Sequence, residues 1–508
     1  MKIVTKEGVS RVHPKPKQKT RFLRTLAIVL ASVTTLILVA LAVSILRLNV
    51  LPTKFLVPIL VFLGLMSAFV LVFALIKKFP KSFKIVSIVF SIIFSVVGVF
   101  GFLKLEDTLA FFSSNFGAAT NVSVYNIMVS ADSDLFGSSD LSTLKVHVLR
   151  DLTSDQSVIL QELSTSLKIR DTHFSFDNTV PELIDFAKSS PENLIALNAG
   201  AYESFLQDNS EEKDSLKLLT TVEIKTDAEI VEKSVDITET PFVVYISGID
   251  TRTGTLPDRS LSDVNIVAVV NPLVKKILLV SIPRDYYVHI PGTPENSLGD
   301  KLTHAGTIGG VVLSKNTVAE LLDTEINYYI RVNFYFVQNL VNSVGGITVY
   351  SDVDYSFSTG AYVNGADTGK CYFNPGDNFV DGICALAFAR ERKSYASGDR
   401  HRGENQEQVI SRVLEKLTSS TTLLTKYSDI LGALSGTFET NFSTDDISKF
   451  VRAQLSDMKG WSVSSYNLDG STGGGYTYSY PAQVLSVMYP NDETVATAKL
   501  KITELLAE

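Results

Sequence analysis

The chain's architecture turns on residues 241–285, which read PFVVYISGIDTRTGTLPDRSLSDVNIVAVVNPLVKKILLVSIPRD. Three apolar runs, 242–249, 264–271 and 276–282, have the length and bounding residues of buried strands. Charges mark their ends: Asp250 closes the first run, Asp263 opens the second, and Pro283-Arg284-Asp285 follows the third. The turn around Asn271-Pro272-Leu273 predicts an antiparallel hairpin between the second and third runs. Such a hairpin returns the chain to the edge it left, so Asp263 and Arg284 meet there. Parallel pairing of the first run with the third is expected to bring Asp250 to that edge too.

Downstream, residues 389–417 read ARERKSYASGDRHRGENQEQVISRVLEKL. Arg390, Arg392, Arg400 and Arg402 crowd together, and a helical pattern is predicted after Gly403, with Gln406, Ile410, Val413 and Leu417 on one face. Arg402 and Gln406 fall at the N-terminal end of that stripe, where unpaired N–H groups and the helix dipole favour anions. Guanidinium forks beside such an end suit a phosphate or pyrophosphate. The competing reading is a solvated basic surface run.

The 508 residues allow two or three domains beyond a membrane part, and 45 % of them are hydrophobic. A net charge of −8 excludes a global polycation, so nucleic acid is not an expected partner and any anion site is local. The two cysteines, Cys371 and Cys384, form neither a CxxC pair nor a zinc-spaced cluster.

Much of the apolar excess sits near the start. Residues 1–24 carry Lys2, Lys6, Arg11, Lys15, Lys17, Lys19, Arg21 and Arg24 against Glu7 alone. Uncharged runs at 25–46, 55–76 and 85–103 have the roughly 20 residues needed to cross a bilayer. Lys77, Lys78, Lys81 and Lys84 lie between the second and third. Both basic segments belong in the cytoplasm by the positive-inside rule, which predicts an inside N-terminus and places everything after about Glu106 outside. A cleaved signal peptide is disfavoured, because two further runs follow the first.

Residues 115–238 alternate strand-like runs (122–129, 144–149, 194–197, 222–224) with helical patterns at 181–188 and 201–207. They predict a small α/β accessory domain without a legible chemical motif. The expected organisation is a basic cytoplasmic tail (1–24), three transmembrane helices (25–105), the accessory domain (115–238) and a larger domain (241–508). Beyond 285, a helix is predicted at 311–322 and a strand at 347–350. The aromatic run from Tyr328 to Val341 reads either as core or as the lining of an apolar pocket for a lipid tail. Cys371 and Cys384 permit a disulfide on an oxidising face, closing a loop worth roughly 3 kcal/mol, or stand as two unrelated buried thiols. Residues 469–480 read as a loop and the segment after Pro490 as a closing helix, with nothing catalytic after Leu417.

Taken in order, SGID (247–250), SDVNIVAVVNP (262–272), SIPRD (281–285), DKLTHAGTIGG (300–310), VGGITV (344–349), ALAFARER (385–392) and GDRHRGENQ (398–406) resemble the LytR-CpsA-Psr family of cell-envelope proteins. Three spans followed by an accessory domain resemble its capsular-polysaccharide branch. The resemblance implies a mixed α/β sheet flanked by helices, displayed outside a Gram-positive plasma membrane on the three-helix anchor. It implies a phosphotransferase that moves capsular polysaccharide from a polyprenyl-pyrophosphate carrier to peptidoglycan, in company with other capsule-assembly membrane proteins. Asp250 and Asp263 match the aspartates that hold Mg²⁺. Arg284, Arg390, Arg392, Arg402 and Gln406 match the pyrophosphate positions, while Lys301 and Asp285 match further motif positions. Two departures stand out: Leu261 occupies the place of an arginine, with Arg259 two positions away, and Asn405 stands where many members have an arginine.

General chemistry agrees with these roles. Arginine forks and a hard divalent cation neutralise the charge that repels an incoming oxygen, and Mg²⁺ is satisfied by one or two carboxylates plus phosphate and water. Asp263 and Asp285 are both candidates for general base. Two rival readings share the site: a polyprenyl-pyrophosphate hydrolase, and a non-enzymatic membrane regulator or scaffold that binds the lipid-linked polymer.

Overall fold

The computed structural model describes residues 16–116, 120–137, 140–152, 156–227, 235–250, 256–358, 362–363, 366–367, 369–395, 398–418, 430–434 and 436–508. Basic residues of the tail up to Lys15 lie outside these. The chain divides into two compact units, Met1–Ala110 with Val451–Ser456, and Phe111–Phe450 with Asp457–Glu508.

The first unit is built on helices α1 (Pro16–Leu48), α2 (Thr53–Leu75) and α3 (Lys81–Asn115). All three are long and apolar enough to cross a membrane, over Arg21–Leu48, Thr53–Leu75 and Lys81–Asn115. Large side chains such as Leu36, Leu65 and Phe100 face outward, an arrangement suited to lipid rather than water. Small residues sit at the contacts: Ala27, Ala31 and Ala74 are fully buried, and a Cβ on Gly98 would meet Ile37 at 2.8 Å. Between α1 and α3, the Thr34 hydroxyl donates to the Ser91 carbonyl at 3.0 Å. Lys84 reaches back to the carbonyls of Phe73, Ala74 and Ile76, capping the end of α2.

In the second unit a five-stranded sheet comes first, from β1 (Thr120–Ser130), β2 (Val146–Leu149), β3 (Phe174–Asp177), β4 (Leu194–Asn198) and β5 (Leu216–Asp227) in the order β3-β2-β4-β1-β5. Helices α4 (Gln156–Leu167), α5 (Val180–Ser189) and α6 (Ala199–Asp208) cover it. Thr179 and Glu182 form a capping box that starts α5, with Pro181 in its first turn.

A six-stranded mixed sheet follows, using β6 (Phe242–Ile249), β7 (Val264–Asn271) and β8 (Lys276–Ile282) as its centre. The short β9 (Tyr287–Val288) and β10 (Asp300–Lys301) pair beside it, and α7 (Leu302–Leu322) leads to β11 (Tyr328–Asn333). Next come α8 (Phe334–Ser343), β12 (Ile347–Ser351), β13 (Tyr355–Ser358), β14 (Tyr362–Val363), β15 (Ala366–Asp367), β16 (Lys370–Phe373), β17 (Gly376–Val380), α9 (Gly382–Arg390) and α10 (Asp399–Thr418). The chain closes through β18 (Phe438–Thr440), α11 (Thr444–Asp457), β19 (Ser462–Asn467), β20 (Gly470–Tyr476), β21 (Val484–Pro490) and α12 (Asp492–Ala507).

The main sheet has the order β18-β11-β6-β7-β8-β19. The expected β7–β8 hairpin is present, whereas β6 pairs antiparallel with β7 instead of parallel with β8. Two successive antiparallel pairings still bring the end of β6, the start of β7 and the end of β8 to one edge. Parallel pairing of β11 with β6 and of β19 with β8 delivers Asn333 and Asn467 to that same edge.

Several local expectations change. Helix α7 begins at Leu302, before the expected 311, and breaks at Gly309-Gly310, where Gly310 has φ +67°. Helix α10 begins at Asp399, so Gly403 lies inside it; the absence of a side chain there admits Ser281, whose Oγ would be 3.1 Å from a Cβ. The stretch expected as a loop at 469–480 folds largely into β20, paired along its length with β21. Tyr328, Tyr329 and Val332 are buried core residues. Cys371 and Cys384 are bonded, with Cα atoms 5.5 Å apart, and tie β16 to α9.

Candidate active site

The shared sheet edge collects alternating charges. Asp263 is fixed at its backbone by an N–H bond to the Gly248 carbonyl, 2.9 Å. Its carboxylate accepts from Arg284 Nη1 at 2.7 Å. Arg284 Nε lies 3.7 Å from Asp285, and Asp285 pairs in turn with Lys301 Nζ at 3.0 Å. Lys301 reaches this chain because β10 pairs with β9 immediately after the Pro-Arg-Asp turn. The four side chains are 17–30 % exposed, sheltered yet accessible to a ligand.

Asp263 and Arg284 line a cleft of about 200 Å³ together with Arg400, Arg402 and Gln406 from the first turns of α10, Asn467 at the end of β19 and Asp469 just beyond it. Helix α10 is held there from below. Asn405 turns inward and donates to the Phe388 carbonyl at 3.0 Å, and Gln406 Nε2 is 3.4 Å from the Ala389 carbonyl. Asn405, one of the two departures from the resemblance, is therefore a buried structural amide. A second pair lies where β6 ends: Arg390 Nη2 is 3.5 Å from Asp250, with its guanidinium 4.4 Å above the Phe334 ring. By the sheet register, Gly248 opposite Val264, the chain leaves β6 at Asp250 at the same edge where Asp263 leads into β7. Arg392 is exposed; of the expected site residues, Asp263, Arg284, Arg402 and Gln406 line the cleft, whereas Asp250, Asp285, Lys301, Arg390 and Arg392 lie outside its lining.

Some participants had no local sequence signal. Arg400, unassigned in the basic run, pairs with Asp469 at 2.6 Å and with the Gly470 carbonyl at 2.9 Å. Asn467 and Asp469 come from a region without visible chemistry and arrive only through the pairing of β19 with β8, Asn467 opposite Ser281. Behind the cleft, burial pushes the Glu407 carboxyl up to about 7, although bonds from Ser465 and Asn467 act the other way.

The loop that carries Asp263 is gripped by the first sheet of this unit. Asp258 accepts from Ser123 at 2.5 Å and from Asn198 at 2.8 Å. Arg259 is buried against Asp151 and the Ile308 carbonyl, and Tyr125, Asp151 and Asp258 hold its guanidinium in the charged form despite burial. Gly200 passes so close that a Cβ would fall 2.0 Å from the Arg259 carbonyl. Arg259 thus belongs to this clamp rather than to the cleft.

Among the described residues no set of three or more His, Cys, Asp and Glu side chains gathers for a metal. Asp250 and Asp263 carry carboxylates of the hard type that Mg²⁺ takes, one or two at a time with phosphate and water completing the shell. Each faces a guanidinium, Asp250 that of Arg390 and Asp263 that of Arg284.

The sequence profile of the LytR-CpsA-Psr family matches residues 205–492, more than half of the chain. Among curated proteins, a polyisoprenyl-teichoic acid–peptidoglycan teichoic acid transferase, TagU of Enterococcus faecalis, is 38 % identical over 211 residues, covering 42 % of this chain and 65 % of the relative. The corresponding TagT of Bacillus subtilis is 34 % identical over 216 residues, 42 % of this chain and 64 % of the relative. The match thus spans a little under two thirds of these relatives' length. Among solved structures, protein gbs0355 from Streptococcus agalactiae aligns with a TM-score of 0.45 at 26 % identity, over 54 % of this chain and 91 % of that one.

Proposed function

The chain belongs to the LytR-CpsA-Psr family, and on that premise we propose that it is a membrane-anchored glycopolymer phosphotransferase. The donor is a polyprenyl-pyrophosphate-linked polymer and the acceptor a sugar hydroxyl of peptidoglycan. One observation carries the reading: Arg284 and Arg402, distant in sequence, line a single cleft together with Asp263. Two guanidiniums and a carboxylate in one cleft suit a diphosphate attacked by a hydroxyl.

The acceptor oxygen bonds to the phosphorus that bears the polymer, and the bond from that phosphorus to the bridging oxygen breaks. The polymer becomes a phosphodiester on peptidoglycan, and polyprenyl phosphate departs with the bridging oxygen. Asp263 or Asp285 takes the hydroxyl proton. Arg284, Arg390, Arg402 and Lys301 bind the phosphoryl oxygens and disperse their charge as bonding shifts, while Gln406 adds an amide donor. Mg²⁺ held by Asp250 and Asp263 would supply further neutralisation of the diphosphate. Arg392, exposed beside Arg390, extends the basic approach.

The polymer is assigned as capsular polysaccharide, because three spans and an α/β domain ahead of the main sheet resemble that branch. The matched relatives are named for teichoic acid, which makes the polymer the point to test. By the positive-inside rule, the basic tail and the Lys77–Lys81 loop support an N-terminus inside and a second unit outside the plasma membrane. Purified full-length protein in liposomes, given lipid-linked capsular polymer, Mg²⁺ and peptidoglycan, is expected to yield a polymer–peptidoglycan conjugate. Free polymer alone would identify a hydrolase; no turnover of any donor, including lipid-linked teichoic acid, would remove the enzymatic reading.

A further inference from the structure

The β20–β21 hairpin is joined directly to both lips of the cleft. At its start, Gly470 accepts from Arg400 through its carbonyl at 2.9 Å. Along β21, Met488 N–H donates to the Asp285 carbonyl at 2.7 Å. The near end of this hairpin therefore adjoins Arg400 and the Asp285 turn.

A line of tyrosines runs outward from that junction. Tyr287 is directly opposite Lys301 in the β9–β10 ladder and two positions beyond Asp285, so it shares the face on which Lys301 and Asp285 form their ion pair. Its ring is locked: the hydroxyl donates to the Tyr476 carbonyl at 3.1 Å and accepts from Gly299 N–H at 3.0 Å. Tyr489 follows, its ring centroid 5.5 Å from that of Tyr287 and its hydroxyl donating to the Gly474 carbonyl at 3.1 Å. Tyr489 is 40 % exposed and Tyr476, at the hairpin's outer end, 51 %.

Between these rings the strand has no side chains at all. Gly473-Gly474-Gly475 occupies the middle of β20, where each glycine costs roughly 0.5–1 kcal/mol relative to alanine. A Cβ on Gly473 would meet the Tyr489 ring at 2.9 Å, and one on Gly475 would meet its hydroxyl at 3.0 Å. The bare backbone lets the Tyr489 ring pack directly on the strand, where its hydroxyl bond to Gly474 holds it. Half-exposed tyrosines fixed through their hydroxyls offer flat apolar faces without a large ordering cost. Pyranose rings, with one apolar C–H face and a polar rim, are complementary to such a track.

We propose that Tyr287, Tyr489 and Tyr476 with the triple-glycine strand form a subsite for the donor's carbohydrate, seating the sugars that follow the pyrophosphate. The subsite rests on the pyrophosphate reading of the cleft. It explains why the hairpin is tied to the Arg400–Asp469 pair and to the Asp285 turn: one ligand spans both, its diphosphate on the arginines and its first sugars on the tyrosines.

The test uses the full-length protein in nanodiscs and three probes: a short polyprenyl pyrophosphate, the same lipid bearing a disaccharide, and a soluble peptidoglycan tetrasaccharide. Tyr489→Ala and Tyr476→Ala are each expected to weaken disaccharide-lipid binding about five- to tenfold. Affinity for the sugar-free lipid stays at the wild-type value, and Tyr489→Trp restores the loss. Equal affinity of wild type and both alanine variants for the disaccharide lipid overturns the subsite, as does an equal loss for both lipids. Loss confined to the tetrasaccharide overturns it in favour of an acceptor site. Failure of the wild type to bind the sugar-free lipid would instead strike the pyrophosphate reading.

Discussion

Removal of Asp151 tests how the Asp263 loop is held. The Asp151 and Arg259 side chains are 2 % and 9 % exposed, and Arg259 has a second contact at the Ile308 carbonyl. Asp151→Ala leaves a guanidinium without its buried counter-charge, a loss of about 3–5 kcal/mol. Arg259→Met strands the carboxylate and is expected to cost a similar amount. The double change Asp151→Leu with Arg259→Met removes both charges and fills their volume, so it should be far milder than either single change. Trp461, the only tryptophan in the chain, packs with the buried cluster of the main sheet and reports its unfolding by fluorescence in denaturant. A cost below about 1 kcal/mol for Asp151→Ala, the range of exposed pairs, would refute the clamp. So would a double variant as unstable as the singles.

Further expectations concern the cleft and its supports. Glu407 has its folded pKa raised from 4.5 to about 7, so the stability it contributes is full below about 4.5 and lost as pH rises through about 7. Between pH 5 and 8 the wild type should lose about 2.5 kcal/mol relative to Glu407→Gln; parallel pH profiles in denaturant would contradict this. Changing both Cys371 and Cys384 to serine should cost roughly 3 kcal/mol on the chain-entropy model, with reductant removing the difference; identical unfolding midpoints without reductant would argue against it. Arg390→Ala should lower polymer attachment by about a hundredfold or more while membrane immunoblots show normal amounts. Attachment at the wild-type rate would take Arg390 out of the site.

Strands and their end charges were legible because each is a local signal: apolar runs bounded by Asp250, Asp263 and Pro283-Arg284-Asp285. The hairpin turn at Asn271-Pro272 then fixed which ends meet. Sheet order was not legible, since nothing local says that β6 pairs with β7 rather than β8. Asn467 and Asp469 stayed hidden for the same reason, being brought to the cleft by a strand paired across a long sequence gap. Residues 469–480 looked like a loop because their glycines mimic turn composition; cross-strand contacts with Tyr489 and Val484 override that local preference. The role of Arg259 depended on Asp151, a partner more than a hundred residues away, just past the end of β2. Gly403 looked like a helix boundary, whereas its bareness serves the close approach of Ser281.

Two arginines gripping one diphosphate is the central claim, and a double-mutant cycle on binding tests it most directly. Affinity of a short polyprenyl pyrophosphate, with Mg²⁺, is measured for wild type, Arg284→Ala, Arg402→Ala and the pair. Each single change is expected to weaken binding by about 1.5–3 kcal/mol, and the two should couple by about 0.5 kcal/mol or more because they hold the same ligand. Unchanged affinity in either single variant, or strict additivity in the pair, would contradict a shared pyrophosphate site.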